Sequence, residues 1–177
     1  RCIGTDMVGY SDRRTVHGSF EHFFSRVIED STAIINMPIL KTHDLSGVSI
    51  ALKNHYGSFD KPHLCHANAC DPYIADLNAS APISSRHRIV VCDAMRPLYA
   101  GGPQYNNEYV HELNALLIGT DPVAVDAVGY NILRKLRKRD ERKVLPYLFD
   151  PVHIETAGKK GVGVSDMKRI DFESMTV

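Results

Sequence analysis

The chain has 177 residues, of which 44% are hydrophobic, and this size and composition suit one globular domain with a substantial core. Its 21 basic and 21 acidic residues balance, which argues against nucleic acid or an anionic membrane surface as a partner. No apolar run approaches the roughly 20 residues that span a bilayer, and four cysteines are too few for a disulfide scaffold.

Three segments in the first third of the chain have patterns of regular structure. Apolar residues within segment 20–30 recur at helical spacing, which predicts an amphipathic helix. Residues 33–37 are apolar, partly β-branched and followed by Pro38, which predicts a short buried strand. Residues 44–53 carry apolar side chains at helical spacing again, so we expect a second helix there.

The rest of the chain alternates between strand-like and helix-like segments. Residues 88–93 and 114–119 are predicted strands, and a loop with glycine and proline is expected at 96–104. Strands that alternate with helices predict the α/β class, with a mainly parallel sheet and flanking helices in Rossmann-like layering. Helices are predicted at residues 71–78, 120–138 and 151–159, the last ending before Gly161.

Polar side chains follow the predicted strands. Lys41 and His43 come after the first, Asp93 ends the second, and Asp121 follows the third. Ligands of parallel sheets bind beyond the carboxyl ends of the strands, so we expect these groups to converge at one edge. Lys41, His43 and Asp93 are the candidate catalytic residues, and Asp93 and Asp121 the candidate ligands of a divalent metal. The plainer interpretation of Asp121, which precedes a proline, is a helix cap.

Further candidate groups lie near this edge. Lys53 and Asn54 end the helix predicted after the first strand and are candidate cofactor-binding residues, although a lysine at a helix C-terminus is also favoured by the helix dipole alone. Gly101 and Gly102 could offer backbone N–H groups to an anion, and their simpler interpretation is a tight turn.

A second constellation combines histidine and cysteine in the loop formed by residues 63–70. His63, Cys65, His66 and Cys70 are ligand types that zinc or iron accepts. Cys65 and His66 are adjacent, however, and one short loop wraps poorly around a tetrahedral ion. We therefore expect no tetrahedral zinc site built from this loop alone.

Several ordered motifs resemble the domain of unknown function 362 family. The resemblance covers most of the chain and begins with a strand-and-lysine motif that includes Lys41, His43, Lys53 and Asn54. The matching segments are residues 35–43 (INMPILKTH), 47–48 (GV), 51–54 (ALKN), 70–78 (CDPYIADLN), 91–94 (VCDA), 101–103 (GGP) and 121–127 (DPVAVDA).

The resemblance implies a prokaryotic protein linked to ferredoxin-type iron–sulfur domains, and some members of the family carry twin-arginine export signals. This chain has no ferredoxin cysteine run, so no iron–sulfur cluster is expected on it. Family members usually have a further N-terminal α/β segment. We therefore expect residues 1–177 to be a single α/β domain, the C-terminal portion of a longer family domain without the first strands of its sheet. Its location would be the prokaryotic cytoplasm, or outside it through an upstream signal.

The leading hypothesis is a redox-associated enzyme domain that binds an anionic substrate or a metal at the carboxyl edge of its sheet. The alternative is a non-catalytic binding module that is accessory to an iron–sulfur protein. Convergence of the lysines, His43 and the two aspartates in one cleft favours the enzyme, and dispersal with each aspartate capping a helix favours the module.

Overall fold

A computed structural model describes residues 2–142 and 145–176 and shows a mixed α/β fold. The predicted class is confirmed: a five-stranded sheet packs against helices, beside a separate two-stranded hairpin. The strands are β1 (Tyr10–His17), β2 (Phe20–Ser25), β3 (Ile34–Asn36), β4 (Ile39–His43), β5 (Gly47–Ser49), β6 (His87–Leu98) and β7 (Ala115–Gly119).

The helices range from single turns to the 18 residues of the longest one. The helices predicted at 71–78, 120–138 and 151–159 are confirmed within one or two residues as α4, α6 and α7. No helix in the described ranges is both long and apolar enough to cross a membrane. The helices are α1 (Thr5–Val8), α2 (Arg26–Glu29), α3 (Ala51–Asn54), α4 (Tyr73–Ala79), α5 (Ala81–Ser84), α6 (Pro122–Arg139) and α7 (Val152–Lys159).

The long strand β6 organises the sheet. β3 and then β4 pair with it in parallel, β7 pairs with it antiparallel, and β5 pairs antiparallel with β4. The three predicted strands therefore do share one sheet. The expectation that all three run in the same direction is wrong for β7, because Gly119 at its end lies opposite Val90, near the beginning of β6.

Residues 20–30 do not form the predicted helix. They form β2 and the single turn α2. Phe20, His22 and Phe24 are buried at a spacing of two residues, and aromatic side chains suit a strand that pairs with a neighbour in a hairpin. The spacing of the apolar residues fits both a helix and a strand, and pairing with β1 selects the strand.

Residues 44–53 are likewise not one helix. They form β5 and then the single turn α3, which begins directly after Ile50. Gly47 has φ of +78°, and a Cβ there would lie 2.3 Å from the Phe149 carbonyl oxygen. The close approach of this backbone segment thus requires glycine at the start of β5.

One face of the sheet is covered by α6. The contact is close at Gly129, where a Cβ would lie 2.9 Å from both Leu40 and Ile50. The other face exposes apolar side chains of β3, β4 and β7, the three strands that pair with β6. Their exposed fractions are 62% for Ile35, 56% for Ile39, 55% for Leu116 and 62% for Ile118.

Candidate functional site

The candidate site begins with α3, a four-residue helix too short to be stable by itself. Asp126 of α6 holds its first turn. The Asp126 carboxylate accepts hydrogen bonds from the backbone N–H groups of Ala51 at 2.7 Å and Leu52 at 3.3 Å. Burial raises the pKa of Asp126 to about 8, against the lowering effect of these two donors. A fully buried carboxylate thus fixes where α3 begins.

Two asparagines hold the carbonyl groups of α3. Asn36 donates to the Ala51 carbonyl at 2.8 Å, and Asn78 donates to the Leu52 carbonyl at 2.9 Å. Asn54 donates in turn to the Asn36 side chain at 2.7 Å. Asn54, a predicted cofactor-binding residue, therefore has a structural contact that helps to fix α3.

Lys53 is carried by this clamped turn and is buried, with an exposed fraction of 5%. Its Nζ lies 3.4 Å from His66 Nε2 and 3.8 Å from the centroid of the Tyr56 ring. Within residues 2–142 and 145–176, no carboxylate lies within ion-pair distance of this ammonium. Burial lowers the pKa of Lys53, because a charge without a counter-ion is poorly solvated there.

Other basic groups surround Lys53, and together they form what we call the basic cluster: Lys41, His43, Lys53, His66 and His153. The rings of His43 and His66 stack with centroids 6.3 Å apart. The fully buried His153 of α7 has no hydrogen-bond partner for either ring nitrogen within the described structure. Burial, together with smaller effects of Lys53 and His43, lowers the pKa of His153 to about 3.

His43 is held as a neutral imidazole. Burial and, to a smaller extent, the charge of Lys53 lower the pKa of His43 to about 4, whereas the charge of Asp44 raises this pKa. The Leu45 amide donates to His43 Nδ1 at 3.2 Å, which requires that nitrogen to be unprotonated. The Asp44 carboxylate, 3.0 Å from the same nitrogen, is therefore not an ion-pair partner of His43 at neutral pH.

A cleft of about 330 Å³ opens beside His43, between residues 42–44, 101–104 and 146–149. Gly101 and Gly102 line it, as expected of residues near a ligand. The Gly102 amide, however, already donates to Thr42 Oγ1 at 3.1 Å, and a Cβ there would lie 2.0 Å from the Thr42 carbonyl oxygen. Gly102 thus permits close backbone packing, and its N–H group is engaged.

The two predicted metal ligands do not converge with the basic cluster or with each other. Asp93 is exposed in the middle of β6 and accepts from the Met95 amide at 2.8 Å. Asp121 caps α6 by accepting from Val123 and Ala124, and also accepts from Val164. Because β7 is antiparallel, Asp121 lies at the end of β6 opposite the one that pairs with β4. The expected single edge is therefore wrong, and these carboxylates do not fit one shared ion.

Asp121 instead lines a second cavity of about 610 Å³, together with His87 and Lys160. This cavity is larger than the cleft at His43, but its charged groups are already engaged. Lys160 pairs with the buried Asp76, and both oxygens of Asp121 accept backbone hydrogen bonds. Lys53 of the basic cluster, by contrast, has no ion-pair partner among residues 2–142 and 145–176, so the basic cluster is the stronger candidate for a binding site.

The loop 63–70 contributes to the basic cluster through His66, which the sequence did not connect with Lys53. Of the other potential ligands in this loop, His63 is exposed, whereas Cys65 and Cys70 are buried close to each other and to Tyr56. Asn68, Ala69 and Cys70 have φ values of +51°, +55° and +64°, a left-handed run that costs L-residues roughly 1–2 kcal/mol each. Such strain persists only where surrounding contacts enforce it.

Sequence reasoning brought Lys41, His43 and Lys53 together correctly and missed Tyr56, His66, His153 and Asp126 as site residues. Asp126 had a detectable signal, since it is an acidic residue flanked by the apolar Val125 and Val128 in the helix predicted at 120–138. The others are distant in sequence from Lys53 or lie in a segment without periodicity, so only the fold identifies them.

The assembled groups can hold an anion and supply a neutral imidazole next to it. A family model for a domain of unknown function (DUF362) matches residues 3–131, which is most of the chain. Neither curated proteins nor solved structures gave a significant match. The matched region includes β4, α3, β6 and the first half of α6, and therefore nearly all of the clamp around Lys53. The chain belongs to the DUF362 family.

Proposed function

We propose that this chain is an enzyme domain that binds the anionic group of its substrate at the basic cluster. The observation that carries the proposal is Lys53, a buried ammonium for which the described structure provides no anionic partner within ion-pair distance. A buried charge without a counter-ion is costly and is rarely retained without a use.

The surroundings of Lys53 select for negative charge. Lys41 and Lys53 lie close enough for the charge of one to affect the pKa of the other. A unit anion about 4 Å from such an ammonium gains roughly 4 kcal/mol near a protein surface, where water screens the charges less than in bulk. Phosphate and carboxylate groups are the anions that lysine and histidine donors recognise in proteins.

Within this proposal, Lys41 and Lys53 orient the anionic group, and His43 transfers a proton. His43 lines the cleft, and because its Nδ1 accepts the Leu45 amide, its neutral ring carries the proton on Nε2, from which it can donate to a substrate held there. Asp93 and Asp121 have no role in the proposal, because neither joins the basic cluster and Asp121 caps α6, as expected of a binding module. The proposal of an enzyme therefore rests on the convergence of Lys41, Lys53 and His43 alone.

Isothermal titration of the full chain with inorganic phosphate tests the binding step. We expect Lys53→Met to weaken phosphate binding at least tenfold, since one buried charge contributes more than about 1.4 kcal/mol to a desolvated anion. Methionine has a similar length and no charge, so the packing around Tyr56 is retained.

Lys159→Met is the matched control, because Lys159 is exposed and pairs with Glu155 on the surface of α7. We expect its phosphate affinity to equal that of the unaltered chain. The proposal fails if the unaltered chain does not bind phosphate, if Lys53→Met binds it equally well, or if both substitutions weaken binding alike.

The redox association is a separate part of the proposal and is supported by the family resemblance. Family members are linked to ferredoxin-type iron–sulfur domains, so we propose that a ferredoxin-type protein is a partner of this domain. Titration of the chain with a purified bacterial ferredoxin tests this part, and an absence of binding at micromolar concentrations would contradict it.

A further inference from the structure

A cysteine, a histidine and an acidic residue form a continuous contact chain at the base of the loop 63–70. Cys65 Sγ lies 3.2 Å from His22 Nε2, and His22 Nδ1 lies 3.2 Å from Asp60 Oδ1. The three residues come from the loop, from β2 and from the segment after Phe59. This is the order of nucleophile, base and orienting carboxylate that nucleophilic catalysis requires.

The geometry fixes the roles of the three groups. Asp60 Oδ1 also accepts the Phe23 amide at 2.8 Å, which holds the carboxylate in place. With Nδ1–H of His22 donating to Asp60, Nε2 is left as the acceptor for the Cys65 thiol proton. The His22 ring is further held between Phe20 and Phe59, with centroids 5.2 and 4.9 Å away.

We propose that Cys65 is a nucleophile that accepts an acyl group from activated esters or thioesters, with His22 as its base and Asp60 as a positioning residue. In this step, sulfur bonds to the acyl carbonyl carbon, and the bond from that carbon to the leaving oxygen or sulfur breaks. The thiol proton passes to His22 Nε2, and the leaving group departs as an anion or takes that proton.

Burial is consistent with this mode of activation. Burial raises the pKa of Cys65 to about 11, with further contributions from Cys70 and Asp60, so the resting group is a thiol. Such a thiol needs a base in contact with it at the moment of attack, and His22 occupies that position. Leu64 is exposed and His66 is half-buried, so the backbone reaches the surface on both sides of the buried Cys65.

The chain contains two matched controls. Cys70 lies in the same loop and is equally buried, but the groups that act most on its thiol are Lys53 and Tyr56 rather than a histidine base. Cys92 is buried in β6, where its nearest polar contact is the Asp93 carbonyl oxygen at 3.9 Å. Reactivity that comes from opening of the loop would affect Cys65 and Cys70 alike, whereas reactivity that comes from His22 is specific to Cys65.

The test uses p-nitrophenyl acetate, which has no anionic group to bind at the basic cluster, so its outcome is independent of the function proposed above. Acetylation of each cysteine in the full chain is followed by mass spectrometry of peptides. We expect Cys65 to be acetylated at least tenfold faster than Cys70 and Cys92. His22→Gln should slow acetylation of Cys65 by roughly 100-fold, the usual contribution of a general base.

Asp60→Asn tests the positioning role through the ratio of acetylation rates at Cys65 and Cys70. General destabilisation would raise both rates and leave the ratio unchanged, whereas loss of the orienting carboxylate lowers the ratio. The proposal is overturned if Cys70 reacts as fast as Cys65, or if His22→Gln leaves the ratio unchanged. The first comparison is made within the unaltered chain and does not depend on the folding of any variant.

Discussion

A lysine ammonium that leaves water loses hydration worth several kcal/mol, and the neighbours of Lys53 restore only part of it. The Tyr56 ring at 3.8 Å supplies a cation–π contact, and His66 Nε2 at 3.4 Å can accept one hydrogen bond. Because these two contacts replace only part of the lost hydration, burial lowers the pKa of Lys53. An anion that enters the basic cluster would reverse this shift, so binding and proton uptake are linked at this residue.

Lys41 provides a test that is separate from Lys53, because its side chain is only half-buried in β4. We expect Lys41→Met to weaken phosphate binding roughly 3- to 10-fold and to leave the melting temperature nearly unchanged. Titration calorimetry and thermal denaturation measure the two effects. A collapse of stability with intact binding would identify Lys41 as a structural residue.

The binding of sulfate should depend on pH through His43. Its pKa of about 4 in the free protein rises when an anion binds nearby, so the complex holds more protons than the free protein. Affinity should therefore increase as the pH falls, and we expect roughly tenfold tighter binding at pH 5 than at pH 7. Sulfate keeps the same charge over this range, and titrations at several pH values measure the change.

His43→Gln is the variant that separates this effect from the other charged groups around the ring, which are Lys53, Asp44, His66 and Lys41. The increase in affinity at low pH should be markedly smaller in His43→Gln. An equally steep dependence in this variant would assign the proton uptake to another group.

At the scale of elements, α3 depends on side chains from other parts of the chain. Asp126→Ala leaves the buried N–H groups of Ala51 and Leu52 without an acceptor, at a cost of about 1–3 kcal/mol each. We expect it to lower the free energy of unfolding by about 2–4 kcal/mol and to weaken phosphate binding, because α3 carries Lys53. Urea denaturation and titration calorimetry measure the two effects.

Asp126→Asn retains one acceptor oxygen and should cost less than Asp126→Ala. Equal stability of Asp126→Ala and the unaltered chain would show that the amides of α3 find other partners, and that the clamp is not needed.

The elements differ in how far the sequence determined them. The apolar runs that became β3, β6 and β7 were predictable, because short β-branched segments have few other uses. The direction of β7 was not, since the sequence of a strand does not state which neighbour it pairs with. Because β7 runs antiparallel to β6, Asp121 lies away from the basic cluster. The helix predicted for residues 20–30 was wrong for a related reason. The phenylalanines of this segment fit both the helical and the strand period, and only pairing with β1 selects the strand.

At the scale of the whole molecule, the half-buried His43 and the buried His55 and His153 predict sensitivity to acid. Burial lowers the pKa of His43 and His55 to about 4 and that of His153 to about 3, whereas the unfolded chain binds protons near pH 6.5. Their contribution to stability is present above pH 6.5 and is lost as the pH falls toward 4. The pKa of Asp126 is raised to about 8, so Asp126 releases about one proton on unfolding near pH 5. This release offsets one of the protons that the histidines take up.

The net uptake on unfolding is then about two protons near pH 5, or roughly 3 kcal/mol per pH unit. Urea denaturation at a series of pH values measures this slope. His153→Leu removes one of the three groups and should reduce the slope by about 1.4 kcal/mol per pH unit without loss of stability at pH 7. A slope that is unchanged in this variant would mean that His153 is protonated in the folded protein.

The α/β class of the whole fold was predictable from the sequence, but which face of the sheet is covered by helices was not. Alternation of strands and helices indicated an α/β layer structure, and α6 does cover one face of the sheet. The apolar side chains of Ile35, Ile39, Leu116 and Ile118 remain exposed on the other face. An apolar residue in a strand predicts burial but does not identify the element that packs on it. The sequence therefore could not show which face of the sheet is covered.

The left-handed run at Asn68, Ala69 and Cys70 has a consequence for the order of folding. L-residues visit this region of backbone space only a few per cent of the time, so an unfolded chain seldom places three successive residues there. The loop can therefore take its shape only after β2, α3 and Tyr56 have formed the surface on which it lies. Its contacts would be absent from the folding transition state and would contribute to the unfolding rate instead. The candidate site is then completed last during folding, and its loop is the first part to come away.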